Sequence, residues 1–328
     1  MYRYENGRRY HAYRDGAYYQ PNDDRQAKVG SIEYVLDGPP ARSPVCRMSG
    51  TDMPDRERHH VWLLTLRDAL FLAPLQDPQR VLDVGTGTGL WAVDMGDRYP
   101  SCEVVGTDLS PTQVPYAPPN VRFEIDDCCS EWTYPENSFD LIHVRGLTGS
   151  VGSWPKFYQE CLKHLRPNGY LEQLEFGVNI HTEPDRTEYD EIIKSFGPLL
   201  VEAGERMGKT FEIAEHMTEL VEKAGKGPDV QTLPVSETFW GFVDVVTKRF
   251  IWPIGPWADD EQLRELGRWN LKNWEDGMEG WVMALLTRIH GWSYEEVQNY
   301  RAQLLRGVKS RELKAWHDVC VVYARKPE

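Results

Sequence analysis

The sequence Val81-Leu-Asp-Val-Gly-Thr-Gly-Thr-Gly89 is followed directly by Leu90-Trp-Ala-Val-Asp-Met95. The first four residues have strand character, the alternating glycines allow a tight turn, and the last six residues have helical spacing. Glycine suits such a turn because a Cβ atom would block both the sharp bend and the close approach of a ligand. The stretch predicts a strand–turn–helix unit that cradles a nucleotide-like ligand, and an ordinary turn without a ligand is the alternative.

The spacing of these glycines distinguishes between two kinds of ligand. In Gly85-x-Gly87-x-Gly89 the second gap is one residue shorter than in the pyrophosphate-binding pattern G-x-G-x-x-G. Asp108 stands at the end of the next apolar run, where an acidic residue can bind ribose hydroxyls. Both features favour an adenosine ligand without phosphates over NAD, so an NAD-dependent dehydrogenase is disfavoured.

With these residues the chain resembles the class I S-adenosylmethionine (SAM)-dependent methyltransferases, and more narrowly the fungal LaeA-like, or UMTA-like, branch. The resemblance covers most of the chain from about residue 55 onward and the segment Tyr10–Arg14 before it. Its first block would fit any methyltransferase, whereas the later tryptophan-rich blocks are more particular to this branch. The matching stretches are Val81–Ala92, Gly106–Pro111, Pro118–Asp127, Trp154–Lys156, Leu165–Gly169, Trp252–Trp257, Leu266–Leu271 and His290–Ser293.

Strands and helices alternate between residues 80 and 176, which predicts parallel βαβ units with ligands at the carboxyl ends of the strands. The predicted strands are Arg80–Val84, Glu103–Thr107, Val121–Ile125, Phe139–Val144, Tyr170–Phe176, Phe239–Phe250 and His317–Ala324. The predicted helices are Asp55–Ala73, Leu90–Arg98, Trp154–Leu165, Glu188–Met207 (kinked or split at Pro198) and Ile213–Ala224.

The expected fold is α/β, a Rossmann-like class I methyltransferase sheet of seven strands whose last strand is antiparallel. Residues 1–54 form an N-terminal arm or lid in this interpretation, and residues 55–328 form the SAM-dependent methyltransferase domain. The resemblance implies a helical insertion at about 259–311, between the last two strands, that caps the substrate side. The aromatic and basic residues of the arm either attach it to the domain surface or contact substrate.

The candidate cofactor-binding residues lie at the carboxyl ends of the predicted strands. Asp108 can accept hydrogen bonds from both ribose hydroxyls. The resemblance implies that Asp127 binds the adenine amino group, that the Cys128 backbone meets a ring nitrogen, and that Asp83 holds the glycine loop or the SAM amino group. Asp126 and Asp127 could instead cap a turn. The full candidate set is Asp83, Gly85, Thr86, Gly87, Asp108, Leu109, Asp126, Asp127, Cys128 and His143.

His143 and Arg145 end the fourth predicted strand, close to the expected position of the transferred methyl group. A neutral His143 could accept the proton of an acceptor hydroxyl or amine, and it is the one candidate catalytic residue. Alternatively, it orients the methionyl end of the cofactor or packs within the strand. Arg145 is either a structural ion-pair partner or an anchor for an acidic substrate.

The overall composition restricts the partners and the compartment. A formal net charge of −14 disfavours contact with nucleic acid, which needs a basic surface. The amino terminus has no apolar signal segment and no stretch is long enough to span a membrane, so a cytoplasmic location is expected, with a nuclear one as the alternative. The six cysteines show no metal-binding spacing and are expected to be reduced thiols, and no metal is predicted.

Twelve tryptophans, many of them late in the chain, favour a lid over a flat, apolar or aromatic acceptor. The first hypothesis is therefore methyl transfer from SAM to an O, N or S atom of a small secondary metabolite. One alternative is a SAM-binding regulator of secondary metabolism that acts through protein partners, since the family includes such regulators. Another is an enzyme that binds SAM and catalyses a rearrangement without methylation.

Overall fold

The computed structural model describes residues 2–11, 18–23, 56–183, 188–224, 241–310 and 312–328. Its strands are β1 Tyr2–Glu5, β2 Arg8–His11, β3 Arg80–Val84, β4 Glu103–Asp108, β5 Val121–Ile125, β6 Phe139–Arg145, β7 Leu165–Glu183, β8 Val243–Ile254 and β9 Lys314–Arg325. Its helices are α1 Arg56–Leu66, α2 Leu90–Arg98, α3 Trp154–His164, α4 Asp190–Lys194, α5 Phe196–Met207, α6 Ile213–Lys223, α7 Glu261–Arg288 and α8 Tyr294–Val308.

Seven strands form one sheet in the order β5-β4-β3-β6-β7-β9-β8. The neighbours from β5 to β7 pair in parallel, whereas β9 lies between β7 and β8 and is antiparallel to both. This arrangement confirms the predicted fold class, including the antiparallel final strand. These five parallel strands point their carboxyl ends towards the same edge of the sheet, where a ligand site is expected.

Side chains of alternate residues reach opposite faces of the sheet, and both faces are covered. Leu82 and Ile142 pack into a core with helices α3 and α6. Val81 and Leu141 pack on the other face with residues of α2, and α1 covers the neighbouring part of that face. Because side-chain direction has a period of two, Asp83 lies on the same face as Val81. This parity places Asp83 under α1 and α2.

Helix α1 ends at Leu66, so the predicted extent of Asp55–Ala73 was wrong at its carboxyl end. Arg67 and Asp68 have φ values of 55° and 63°, which turn the chain out of the helix. The backbone N–H of Asp68 donates to the Leu63 carbonyl and closes the turn. Leu70 and Ala73 are still buried, but in an irregular segment that packs beside the sheet.

Three other predicted boundaries also differ. Strand β7 runs for 19 residues instead of Tyr170–Phe176, and its pairing with β9 shifts register between Phe176 and Ile180. The predicted helix Glu188–Met207 is split at Ser195, so that Pro198 falls in the first turn of α5, where proline is tolerated. Strand β9 begins three residues earlier than expected, and residues 239 and 240 of the other predicted strand lie outside the described residues.

Helices α7 and α8 lie between β8 and β9, in the segment at about 259–311 where a helical insertion is expected. The hairpin β1–β2 packs on α7 through two ion pairs, Arg8 with Glu279 at 3.8 Å and Arg288 with Glu5 at 2.8 Å. The Arg288 guanidinium also covers the Tyr10 ring, 4.3 Å from its centroid. Tyr10 therefore attaches the arm to the insertion, while residues 12–14 of the same segment lie outside the described residues.

Every helix in the described part of the chain is too short or too polar to span a bilayer.

Candidate active site

The turn between β3 and α2 forms a narrow cradle. Gly85, Gly87 and Gly89 all have positive φ values, 71°, 59° and 84°, which side chains rarely tolerate. A Cβ atom on Gly85 would lie 2.4 Å from Leu147 Cδ2, and one on Gly89 would lie 2.4 Å from Phe123 Cζ. The cradle therefore needs glycine both for its backbone conformation and for the space between the ends of β3, β5 and β6.

Asp108 lies at the carboxyl end of β4, beside the cradle. Its Oδ2 accepts the Gly87 N–H at 2.9 Å, and its Oδ1 accepts the Ser110 N–H at 2.9 Å. A carboxylate oxygen that accepts one N–H can also accept a hydroxyl, so these hydrogen bonds are compatible with a ribose at this position. Leu109 follows directly in the loop. The ribose role stays a prediction, and it is compatible with this position.

The loop after β5 carries the residues predicted to bind adenine. The backbone N–H of Asp126 donates to the Asp108 carbonyl, which joins this loop to the end of β4. Asp127 is buried, and its carboxylate accepts the Cys129 N–H at 2.9 Å and the Ser130 hydroxyl at 3.4 Å. Asp126 accepts the Asp127 N–H. Both carboxylates thus cap the turn, the alternative considered for them, and the adenine contacts of Asp127 and Cys128 stay predictions.

His143 and Asp83 are register partners on β6 and β3 and bind each other beneath the cradle. His143 Nδ1 lies 2.7 Å from Asp83 Oδ1, and Asp83 Oδ2 accepts the Thr86 hydroxyl at 2.6 Å. The imidazole is fully buried and stacks on Trp91, with ring centroids 3.7 Å apart. Burial lowers the pKa of His143, and hydrogen bonding to Asp83 opposes this shift. The pair supports the glycine loop, so the geometry favours a positioning role, and the base role remains a prediction.

His59, on α1, links three elements of the fold. Its Nε2 lies 2.8 Å from Asp94 on α2, and Arg145 at the end of β6 donates to its Nδ1 at 3.2 Å. Since arginine can only donate, Nδ1 is unprotonated and the ring hydrogen lies on Nε2. Burial lowers the pKa of His59, which keeps the ring neutral. Arg145 therefore has a structural role here.

A cavity of about 30 Å³ lies beyond the loop that follows β6. Thr148 lines this cavity, and the adjacent Leu147 packs against Gly85, so the cavity begins beside the cradle. Its other walls come from the arm, α1, β7, α5, β8, α7 and β9. The lining residues are Tyr19, Gln20, Arg58, Thr148, Phe176, Val178, Phe196, Leu200, Phe211, Trp252, Asn270, Asn273, Trp274, Trp281 and His317.

The arm forms one wall of the cavity. Tyr19 is buried against Phe211, with ring centroids 5.3 Å apart, and the Gln20 amide donates to the Tyr19 hydroxyl. Asn22 continues towards the cradle, where its side chain donates to the Ser110 hydroxyl at 3.3 Å. The described part of the arm thus spans from the insertion to the end of β4 and covers the cavity.

Polar groups in and around the cavity wall are mostly engaged. Trp274 Nε1 donates to His317 Nε2 at 3.0 Å, and burial lowers the pKa of His317 to about 4, so the ring is neutral and its hydrogen lies on Nδ1. Glu175 accepts the backbone N–H groups of Leu147 and Thr148 and the Thr148 hydroxyl. Burial raises the pKa of Glu175 to about 7.

Comparison with known proteins identifies the chain. Residues 55–225 match a family model described as a methyltransferase domain, which covers more than half of the chain. The chain is 35% identical to methyltransferase pytC of Aspergillus terreus, over 99% of this chain and 88% of that protein. It is 30% identical to the secondary metabolism regulator laeA of Aspergillus fumigatus, over 98% and 76% of the two chains. The chain belongs to the LaeA-like methyltransferases.

This LaeA-like methyltransferase uses SAM as its cofactor, as the family requires. The cradle fits that cofactor, since its glycines leave space that a Cβ would fill and Asp108 offers acceptors beside it. A further relative, the protein-methionine methyltransferase laeA of Emericella nidulans, is 29% identical over 98% of this chain and 76% of its own length. Among solved structures, the chain is similar to phosphoethanolamine N-methyltransferase 2 of Haemonchus contortus, with 20% identity, a TM-score of 0.47 and coverage of 82% and 53%.

Cys128 and Cys129 lie at the predicted adenine end of the site. The carboxylate of Asp127 and the two thiols lie within 4.8 Å of one another, a grouping that the cysteine spacing did not suggest. A hydrogen bond from the Cys128 thiol, opposed by burial, lowers the pKa of Cys129 to about 6. Cys129 is exposed, whereas burial raises the pKa of Cys161 well above its usual value.

We expect iodoacetamide at pH 7 to alkylate Cys129 at least tenfold faster than Cys161, because the thiolate is the reacting species and Cys161 is buried. Peptide mass spectrometry of the intact, folded protein measures both rates. The Cys128→Ala variant serves as the comparison, since it removes the S–H group that donates to the Cys129 sulfur and should slow the labelling of Cys129. Equal labelling rates for Cys129 and Cys161 would contradict the low pKa.

Proposed function

We propose that this methyltransferase transfers the methyl group of SAM to an O, N or S atom of a small, flat, aromatic or apolar secondary metabolite. The proposal rests on the aromatic cavity beside the glycine cradle. Thr148 lines this cavity, and the adjacent Leu147 packs against Gly85 of the cradle. Phe176, Phe211, Trp252, Trp274 and Trp281 supply most of its apolar wall. Such a wall binds a flat apolar molecule and excludes water from the transfer.

In this proposal each part of the site has a separate task. The glycine loop meets the methionyl end of the cofactor, and Asp108 binds the ribose. Asp127 binds the adenine amino group, and the Cys128 backbone meets a ring nitrogen. Asp83 and His143 hold the loop in place from below. Bound SAM supplies an electrophilic methyl carbon on a sulfonium centre. The chain aligns the acceptor with that carbon and keeps water out, which is the main contribution an enzyme can make to such a displacement.

Regulation through protein partners is the second candidate function. The cavity volume of about 30 Å³ favours it, since that space holds a few water molecules at most while the arm is docked. Relatives at 30% identity are named as secondary metabolism regulators. The two candidates differ in the acceptor. Incubation with methyl-tritiated SAM and a fungal metabolite extract should label a small molecule under the first candidate and a protein, or nothing, under the second.

The cofactor assignment has its own test in Asp108→Asn. The amide keeps one acceptor for the loop but loses the charge and the second acceptor, so SAM affinity should fall by about tenfold to a hundredfold. Isothermal titration with SAM measures the change, and Asp97→Asn on the exposed face of α2 is the matched control. Unchanged SAM affinity in Asp108→Asn would remove the ribose role.

A further inference from the structure

We propose that the acceptor atom is an oxygen that is already ionised when it enters the site, as in a carboxylate or an acidic enol, and that Arg58 binds it inside the aromatic cavity. This inference rests on the proposed methyl transfer and specifies its substrate class. It depends on two independent observations about the described residues: Arg58 has no acidic partner among them, and none of those that line the cavity offers a free base.

Arg58 projects from α1 into the cavity wall and is partly buried. Its guanidinium carbon lies 5.9 Å from the Trp281 ring centroid, a cation–π contact, and no carboxylate of the described residues pairs with it. Two arginines of the arm and α7 differ from Arg58 in having acidic partners. Arg8 pairs with Asp23 and Glu279, and Arg288 pairs with Glu5. In a chain with a net charge of −14, an arginine without an acid in an apolar cavity is unusual. An anionic ligand would supply the missing charge.

Arginine also suits an oxygen anion geometrically. Its planar guanidinium presents parallel N–H groups that match two oxygens of a carboxylate or a 1,3-dicarbonyl enolate. The aromatic rings beside it, including Trp281, exclude water and so strengthen the interaction. The docked arm leaves a cavity of only about 30 Å³, so the rest of a flat acceptor would lie among Phe176, Trp252 and Trp274 once the arm has moved aside.

Among the described residues, none that lines the cavity offers a free base. His317 Nε2 accepts from Trp274, and His59 lies between Asp94 and Arg145. His143 Nε2 has no hydrogen-bond partner among the described residues, but this ring is fully buried beneath the cradle and does not line the cavity, and Glu175 accepts from the loop after β6. A neutral hydroxyl or amine would need a base to remove its proton during transfer. An ionised oxygen needs none, so this wall suits an acidic acceptor.

One further group restricts the acceptor. Asn273 is buried in the cavity wall, and its Oδ1 has no hydrogen-bond partner among the described residues. A buried acceptor atom without a partner costs free energy, which a donor on the ligand would recover. The acceptor molecule should therefore carry a hydroxyl or N–H group in addition to its acidic oxygen.

The transfer balances without an added reactant. A lone pair of the ionised oxygen forms the new O–C bond as the S–C bond breaks, and the electrons of that bond remain on sulfur. The negative charge of the acceptor and the positive charge of the sulfonium disappear together. The products are a neutral methyl ester or enol ether and S-adenosylhomocysteine, and no proton has to move.

The test compares binding of 6-hydroxy-2-naphthoate with binding of 6-hydroxy-2-naphthamide, which has nearly the same shape and the same hydroxyl donor but no charge. Both are titrated calorimetrically into the full chain saturated with S-adenosylhomocysteine. We expect the acid to bind at millimolar concentration or below and the amide at least tenfold more weakly. Arg58→Met should weaken binding of the acid by about tenfold to a hundredfold, whereas Arg58→Lys should retain part of it. Arg306→Met, at an exposed position on α8, is the matched control and should change nothing.

The other possible results distinguish failure of this inference from failure of the proposed function. Equal binding of acid and amide, no binding of the acid, or full affinity in Arg58→Met would overturn the inference while leaving the cofactor assignment intact. Failure of S-adenosylhomocysteine itself to bind would instead contradict the proposed function. If the acid accepts the tritiated methyl group of SAM, the product should release labelled methanol in alkali, because alkali hydrolyses methyl esters.

Discussion

Replacement of Gly85 by alanine is expected to weaken SAM binding by about a hundredfold. The new Cβ would lie 2.4 Å from Leu147 Cδ2, and a φ of 71° costs a side-chain-bearing residue about 1–2 kcal/mol. The Leu147 side chain has little room to move away, because it is buried in the hydrophobic core behind the loop. The loop should therefore relax to another conformation, which SAM binding would have to reverse. Isothermal titration with SAM measures the loss of affinity.

Gly291→Ala is the matched control for this variant. Gly291 has nearly the same φ, 76°, but open space where its Cβ would lie, and it belongs to the turn between α7 and α8. Gly291→Ala should lower the thermal stability through a similar backbone strain and leave SAM affinity unchanged. If both variants bind SAM like the unmodified chain, the turn is not the cofactor cradle.

The Glu172→Gln variant is expected to be more stable than the unmodified chain at alkaline pH. Glu172 is fully buried, its Oε2 accepts the backbone N–H groups of Leu72 and Ala73, and burial raises its pKa from 4.5 to about 8. Glutamine keeps an oxygen for both N–H groups and cannot ionise. The free energy of unfolding of the variant should exceed that of the unmodified chain by an amount that grows with pH and reaches a few kcal/mol at pH 9. The reason is that ionising a buried carboxyl costs about 1.4 kcal/mol per unit of pKa shift.

The sign follows from proton binding. Between pH 4.5 and about 8 the folded chain holds a proton on Glu172 that the unfolded chain has lost. Stability due to this group is therefore fully present below pH 4.5 and falls as the pH rises towards 8. Thermal unfolding of both proteins across pH 5 to 9 measures the difference, with Glu222→Gln on the exposed face of α6 as control. A stability difference that does not change with pH would show that Glu172 is ionised in the folded chain throughout.

The sequence predicts those parts of the site that depend on local spacing. The glycine loop and Asp108 each follow a short apolar strand, and β3 and β4 form where β-branched and leucine residues predict them. The pairing of Asp83 with His143 depends on the register of two strands 60 residues apart, which spacing does not fix. Once the strands are aligned, both residues point to the same face and meet.

Other features arise from tertiary contacts that no local pattern encodes. His59 meets Asp94 and Arg145 only because α1 packs across α2 and the end of β6. Strand β7 extends far beyond its predicted end because β9 offers it a long partner on one side. Arg58 has no distinguishing pattern in the sequence, and only the tertiary packing places it in the cavity wall.

The ion pairs that attach the β1–β2 hairpin to α7 have a thermodynamic consequence. Because Tyr19 and Gln20 complete the wall of a cavity with space for only a few water molecules, an acceptor molecule must compete with docking of the arm. Linkage is reciprocal, so the docked arm weakens acceptor binding by the same factor by which the acceptor weakens docking. Glu5, Arg8, Glu279 and Arg288 therefore influence the affinity for the acceptor, although none of them lines the cavity.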